Sequence, residues 1–180
     1  MAALCVYCAS SPAIEQRYID LAAEVGQRLA KEGHTLVSGG GRASMMGAVA
    51  RAARAGGAYT LGVIPEHLIP LEVADTDADE LVVVHTMRER KRIMDESSDA
   101  FLALPGGLGT FEELLEVWTS AYLGMHAKPV IVLDPDDFYA PLWAWCEQLR
   151  ERGFVRQIAL DTLHRVSTVD EVFAILDPAG

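Results

Sequence analysis

Residues 101 to 113 read Phe101-Leu-Ala-Leu-Pro-Gly-Gly-Leu-Gly-Thr-Phe-Glu-Glu113. A short apolar run with strand character stops at Pro105, three glycines fall within four positions, and a helical pattern opens at Thr110. Strand, glycine turn and helix start, in that order, is how α/β proteins hold phosphates. Glycine lets backbone N–H groups approach an anion closely, and the first turn of the next helix adds unpaired donors and a partial positive charge. Gly106, Gly107, Leu108, Gly109 and Thr110 are therefore candidate phosphate contacts. Glu113 sits one turn further on. A phosphate cradle does not need an acid there, so its presence raises the question of chemistry.

Working outward, apolar β-type runs recur at 3–8, 35–38, 59–64, 81–85, 100–104, 129–133 and 164–167. Helical patterns lie between most of them, at 12–32, 43–56, 87–97, 110–124, 137–152 and 169–176. The alternation predicts an α/β, Rossmann-like doubly wound sheet of about seven strands, mainly parallel, with helices on both faces. Ser11 and Pro12 are expected as N-cap and first residue of the first helix, with Gly33 just past its end. The interval from Pro65 to Glu80 lacks helical periodicity and is expected to be a long loop with one short helical turn, a kind of segment that often carries function. In such a sheet ligands bind beyond the carboxyl ends of the strands. Three loops at that edge are rich in small residues: Ala9 to Ser11, Ser38 to Arg42, and Pro105 to Thr110. Their convergence on one phosphate-bearing ligand adds Ser10, Gly40 and Gly41 to the candidates.

The chain has 180 residues, 51% of them hydrophobic, which suits one domain spanning 1–180 with a proper core. Its net charge of −11 opposes nonspecific attraction to nucleic acid or anionic membranes, so neither is an expected partner. No apolar run reaches transmembrane length, the N-terminus lacks a basic signal region, and the expected location is the cytoplasm. Three cysteines cannot complete a disulfide framework. Cys5 and Cys8 form a CxxC, but a separation of three in a strand puts them on opposite faces. The five histidines form no metal-binding pattern, and neither a metal nor a cofactor is expected.

Two motifs admit competing readings. The run Arg88-Glu-Arg-Lys-Arg92 looks like a basic tract, yet helical geometry sorts it: Arg88 and Arg92 fall beside Glu89 and Glu96, Lys91 flanks Met87, and Arg90 lies on the apolar stripe with Ile93 and Met94. An inward guanidinium needs an anionic or strongly accepting partner, either in a buried ion pair or in a ligand pocket. Glu113 fits a capping box with Thr110, as Glu171 does with Thr168, and a purely structural role is open to it on local grounds. The helix after Thr110 is apolar most of the way round, as expected of one packed against both its own domain and a partner.

The stretch Pro105-Gly-Gly-Leu-Gly-Thr-Phe-Glu-Glu113 resembles the PGGxGTxxE signature of the LONELY GUY family, cytokinin-activating phosphoribohydrolases often mislabelled lysine decarboxylases. The resemblance extends through Ser38-Gly-Gly-Gly, Met87-Arg-Glu-Arg-Lys91, Glu113-Leu-Leu-Glu-Val-Trp-Thr119 and Leu123-Gly-Met-His-Ala-Lys-Pro129. It implies hydrolysis of the N-glycosidic bond of an N6-modified adenosine 5′-monophosphate, giving free base and ribose 5-phosphate. By the same resemblance, phosphate would sit on Gly107 to Thr110, Arg90 and Glu113 would be the catalytic pair, and Lys91, Glu72 and Thr119 would complete the nucleotide site. A homodimer is the family's usual state. A pyridoxal-dependent decarboxylase is disfavoured, because the chain has only Lys31, Lys91 and Lys128 and one domain's length. The alternative from a different class is a non-catalytic nucleotide sensor on the same fold.

Overall fold

Seven strands form one sheet in the computed structural model, which describes residues 1–176. They are β1 (Ala3–Tyr7), β2 (Thr35–Ser38), β3 (Thr60–Pro65), β4 (Glu80–Val84), β5 (Ala100–Ala103), β6 (Val130–Leu133) and β7 (Leu163–Val166). The order across the sheet is β4-β3-β2-β1-β5-β6-β7, and every pairing is parallel. Each strand lies within a residue of the run that predicts it; the five inner strands are apolar almost throughout because both their faces are covered, whereas the edge strands β4 and β7 are partly exposed.

Helices α1 (Gln16–Lys31), α2 (Ser44–Ala55) and α8 (Val169–Leu176) cover one face. The other carries α4 (Met87–Glu96), α5 (Leu108–Tyr122) and α6 (Ala140–Glu151). Side-chain alternation along β1 serves both cores. Leu4, Val6 and Cys8 pack with Val25, Leu29 and Val49, whereas Cys5 and Tyr7 pack with Met94, Leu114 and Trp118. The two cysteines of the CxxC therefore do lie on opposite faces. After β4 the chain returns from the sheet's edge to place β5 against β1, and this reversal opens a crevice at the carboxyl ends of the central strands.

Several boundaries differ from the sequence expectation. Helix α1 starts at Gln16 with Glu15 as N-cap, because Ser11 instead closes a local turn, its Oγ accepting from Ala13 N–H at 3.4 Å. Gly33, at φ 75°, does end that helix. Helix α6 begins three residues later than its periodicity suggests, and a short α7 (Gln157–Asp161) stands in a segment without an expected helix. The interval after β3 holds a single 3-10 turn, Glu66–Leu68, leading into the four-residue α3 (Ile69–Glu72).

The largest correction concerns α5. Its N-cap is Gly107, and Thr110 is a buried residue of the first turn. The capping box expected between Thr110 and Glu113 does not form. Those at Thr168 with Glu171 and at Thr86 with Glu89 do, each with the threonine accepting and the glutamate reaching back. Glu113 thus has no capping role. No described helix is long and apolar enough to cross a membrane.

Candidate active site

A cavity of about 250 Å³ occupies the crevice and draws on the ends of five strands. Tyr7, Ser10 and Ser11 come from the end of β1 and the loop after it, Gly39 follows β2, and Leu68 and Glu72 follow β3. Arg90 comes from α4, and Gly107, Leu108, Gly109, Thr110 and Glu113 from the start of α5.

The α5 start is open. The helix's first backbone bond runs from Phe111 N–H to Gly107 C=O at 3.0 Å, so the N–H groups of Leu108, Gly109 and Thr110 precede the helical ladder as unpaired donors. A Cβ built on Gly107 or Gly109 would meet no heavy atom within 4 Å, and neither residue has a positive φ. The fold does not require glycine at these two positions. What glycine leaves there is room beside three free donors and the positive end of a 15-residue helix.

Arg90 is buried, as its place on the apolar stripe predicts, and the side chain both makes an ion pair and lines the cavity. Its Nε donates to Val63 C=O at 3.1 Å, and Nη2 donates to Gly39 C=O at 2.9 Å and to Glu72 Oε2 at 3.2 Å. Nη1 has only a weak acceptor, Met87 Sδ at 3.9 Å, and keeps donor capacity toward the cavity. The partner of Arg90 is thus Glu72 at the end of α3. Among the described residues Arg90 and Glu113 make no ion pair.

Glu113 makes no hydrogen bond or ion pair among the described residues. Its side chain keeps some solvent contact at the cavity floor, yet protein crowds it closely. Desolvation raises its pKa from 4.5 to about 7; Glu72 and Glu112 push the same way, whereas Arg90 and Lys91 pull it down. A carboxyl titrating near neutrality can take up and release a proton under physiological conditions.

The other expected site residues divide. Lys91 lies outside the cavity, bound to Glu112 at 3.0 Å and Glu116 at 2.5 Å, in a second pocket that shares Glu113 and Tyr7 with the first. Gly106 backs the glycine loop, its hydrogens against the Thr110 side chain. Gly40 packs on Val63 and Ile64, and Gly41 on Glu72 and Met46, so that in this loop it is Gly39 that reaches the cavity. Thr119 stands on a different face of α5, in an apolar groove with Leu115, Trp118 and Tyr122. Tyr7, Leu68 and Met87 line the cavity without having been singled out; only the position of Tyr7 at a strand's carboxyl end could have marked it. None of the three lysines lines the cavity.

The family model described as "Possible lysine decarboxylase" matches residues 46–176. The chain is 49% identical over 173 residues to the cytokinin riboside 5′-monophosphate phosphoribohydrolase of Mycobacterium marinum, covering 96% of this chain and 92% of that protein. It is 42% identical over 174 residues to the rice enzyme of the same name, with 97% and 72% covered. A solved structure of a molybdenum cofactor binding protein from Rippkaea orientalis shares the fold, with a TM-score of 0.75 at 22% identity over 98% of this chain and 96% of that one. The chain belongs to the LONELY GUY family of phosphoribohydrolases, the family that the "Possible lysine decarboxylase" description covers.

Proposed function

We propose that this chain hydrolyses the N-glycosidic bond of an N6-modified adenosine 5′-monophosphate, releasing the free cytokinin base and ribose 5-phosphate, and that residues 1–180 act as one nucleotide-binding domain. The observation that carries the reading is the sharing of one cavity by the open start of α5 and the Glu113 carboxyl, which burial pushes up to about 7. From Gly109 to Glu113 the helix rises about 6 Å, roughly the span of one ribose. A 5′-phosphate on the N–H groups of Leu108, Gly109 and Thr110, with Ser10 opposite, therefore brings the anomeric carbon toward Glu113.

In the reaction the bond from the anomeric carbon to the base nitrogen breaks, its electron pair leaves with the base, and positive charge builds on the sugar. Ionised Glu113 stabilises that charge and takes a proton from the attacking water, whose oxygen bonds to the anomeric carbon. The departing base takes its proton from solvent water and Glu113 returns the proton it gained to solvent, so that one water is consumed overall. Arginine does not give up its proton, so Arg90 acts by holding Glu72 and by donating from Nη1 to the sugar. Lys91 tunes the site through its charge, from beyond Glu113.

The test is incubation with AMP and with N6-isopentenyladenosine 5′-monophosphate, followed by chromatography. Free base is the expected product, with the modified nucleotide cleaved faster; binding without cleavage would make the chain a sensor. The exposed apolar groove along α5 and α6, where Trp145 is 55% and Phe154 78% exposed, supports a homodimer, and light scattering should give twice the chain mass.

A further inference from the structure

We infer that Arg54 and Asp75, which do not line the cavity, are positioning residues that clamp the Glu72 segment onto the first glycine loop and so hold Glu72 in place against Arg90. The inference rests on the hydrolase reading above for its kinetic consequence.

Arg54 sits in the last turn of α2 and grips Asp75 with both arms of its guanidinium, Nη1 to Oδ2 at 2.8 Å and Nη2 to Oδ1 at 3.1 Å. The Asp75 side chain is 5% exposed and that of Arg54 17%, so this is a shielded, two-pronged pair and not a solvated surface contact. The backbone around Asp75 is tied just as firmly. Asp75 N–H donates to Gly40 C=O at 2.8 Å, Arg42 N–H donates to Val73 C=O at 2.9 Å, and Ala74 bridges Gly41 in antiparallel fashion. Three consecutive residues after Glu72 are thereby fastened to the loop whose Gly39 carbonyl also receives Arg90. Four residues on, Asp79 accepts from Thr60 N–H at 2.8 Å and from Thr60 Oγ1 at 2.9 Å, which closes the other end of the segment.

The join between α3 and this clamp is strained. Val73 has φ 53° and ψ 94°, a conformation that a β-branched residue adopts only when its surroundings impose it. The clamp is what imposes it. Without Asp75 the four-residue α3 has too few bonds of its own to keep Glu72 within 3.2 Å of Arg90. Loss of the clamp should then leave Arg90 on its two backbone acceptors without its ion pair and withdraw one negative charge from the cavity. Glu113 would respond, since the charged and titratable groups that act on it are Glu72 from α3, Arg90 and Lys91 from α4, Glu112 from its own helix, and Tyr7, Cys5 and Cys8 from the β1 side.

The experiment pairs Asp75→Asn with Arg54→Lys, which keeps both charges but loses the fork. In each variant the titration midpoint of Glu113 is followed by carbon-13 NMR of labelled carboxyls, beside kcat/KM and Tm. Both variants should move the midpoint to lower pH and reduce kcat/KM, Asp75→Asn by on the order of 10- to 100-fold and Arg54→Lys by less. If the folded variants lose only Tm, with the midpoint and kcat/KM unmoved, the clamp is merely structural and the inference is overturned. Should Asp75→Asn fail to fold, Arg54→Lys decides on the same readouts. A wild-type protein that releases no base, together with a midpoint that falls in the variants, would sink the hydrolase reading and leave the clamp standing.

Discussion

Two glycine loops border the same cavity, one after β2 and one after β5, and the space around their glycines differs. A Cβ on Gly39 would fall 1.9 Å from Arg90 Nη2, and one on Gly41 would crowd Glu72 at 3.2 Å. The first loop is a saddle on which two of the protein's own side chains ride. At Gly107 and Gly109 a Cβ would touch nothing. The second loop keeps empty space next to unpaired N–H groups, and the proposed function puts the substrate's phosphate there. The comparison teaches that glycine-rich composition marks a close approach without saying what approaches. Neighbouring side chains decide between protein and ligand.

Glu113→Gln breaks the comparison most directly, because it leaves both loops intact and removes the carboxyl to which the proposed reaction assigns the chemistry beside the second one. It should lower kcat by about 10³-fold while substrate still binds. Wild-type turnover in this variant would reduce the α5 start to a binding cradle. The same substitution has a consequence for stability. Burial pushes the Glu113 carboxyl up from its ordinary 4.5 to about 7, so between those values the unfolded chain has lost a proton that the folded chain keeps. Stability therefore falls as pH rises through that window and is lowest above it. Gln carries no such burden, and Glu113→Gln should gain at most about 3 kcal/mol on wild type at pH 8, and nothing at pH 4, in denaturant titrations. The rising limb of wild-type kcat/KM should have its midpoint near 7; a limb below 5 would separate the desolvated carboxyl from the chemistry.

Gly39→Ala sharpens the saddle side. The new methyl would displace a guanidinium held by Val63 C=O, Gly39 C=O and Glu72, and such buried bonds are not remade elsewhere. A loss of about 1–3 kcal/mol in unfolding free energy is expected, with activity falling alongside. Unchanged stability would mean that Arg90 swings aside freely and that the first loop is not a saddle.

How much of this the sequence disclosed follows from where each signal is stored. Strands buried on both faces announce themselves as apolar runs, which makes the five inner strands legible; the half-exposed edge strands β4 and β7 are marked by their place in the alternation with helices. Arg90 was legible for a related reason, since a helix of known period fixes which residue faces inward. Its partner was not. Glu72 belongs to a four-residue helix in a stretch rich in Pro, Asp and Glu, where no period exists to be read, and the contact spans 18 residues. The start of α5 is not legible, because Thr110 offers a favourable cap and Gly107 has no side chain with which to advertise one. Thr119 was placed by resemblance, and the helix turns it toward the groove shared with Trp118 and Tyr122.

The smallest expected effect separates the loops most cleanly. Gly109 is the second residue of α5, has helical surroundings, and faces open space. Glycine there costs the folded state roughly 0.5–1 kcal/mol relative to alanine, through backbone entropy alone. Gly109→Ala should therefore raise the unfolding free energy by about that much in the absence of ligand. The same methyl would project into the room beside the free N–H groups, so affinity for ribose 5-phosphate, followed by calorimetry, should weaken by on the order of tenfold. Stabilised and weaker binding together is a combination that only a loop kept open for a ligand can give. If Gly109→Ala gained stability and bound the phosphate as well as wild type, the open space would have no tenant, and the second loop would differ from the first only in having nothing packed on it.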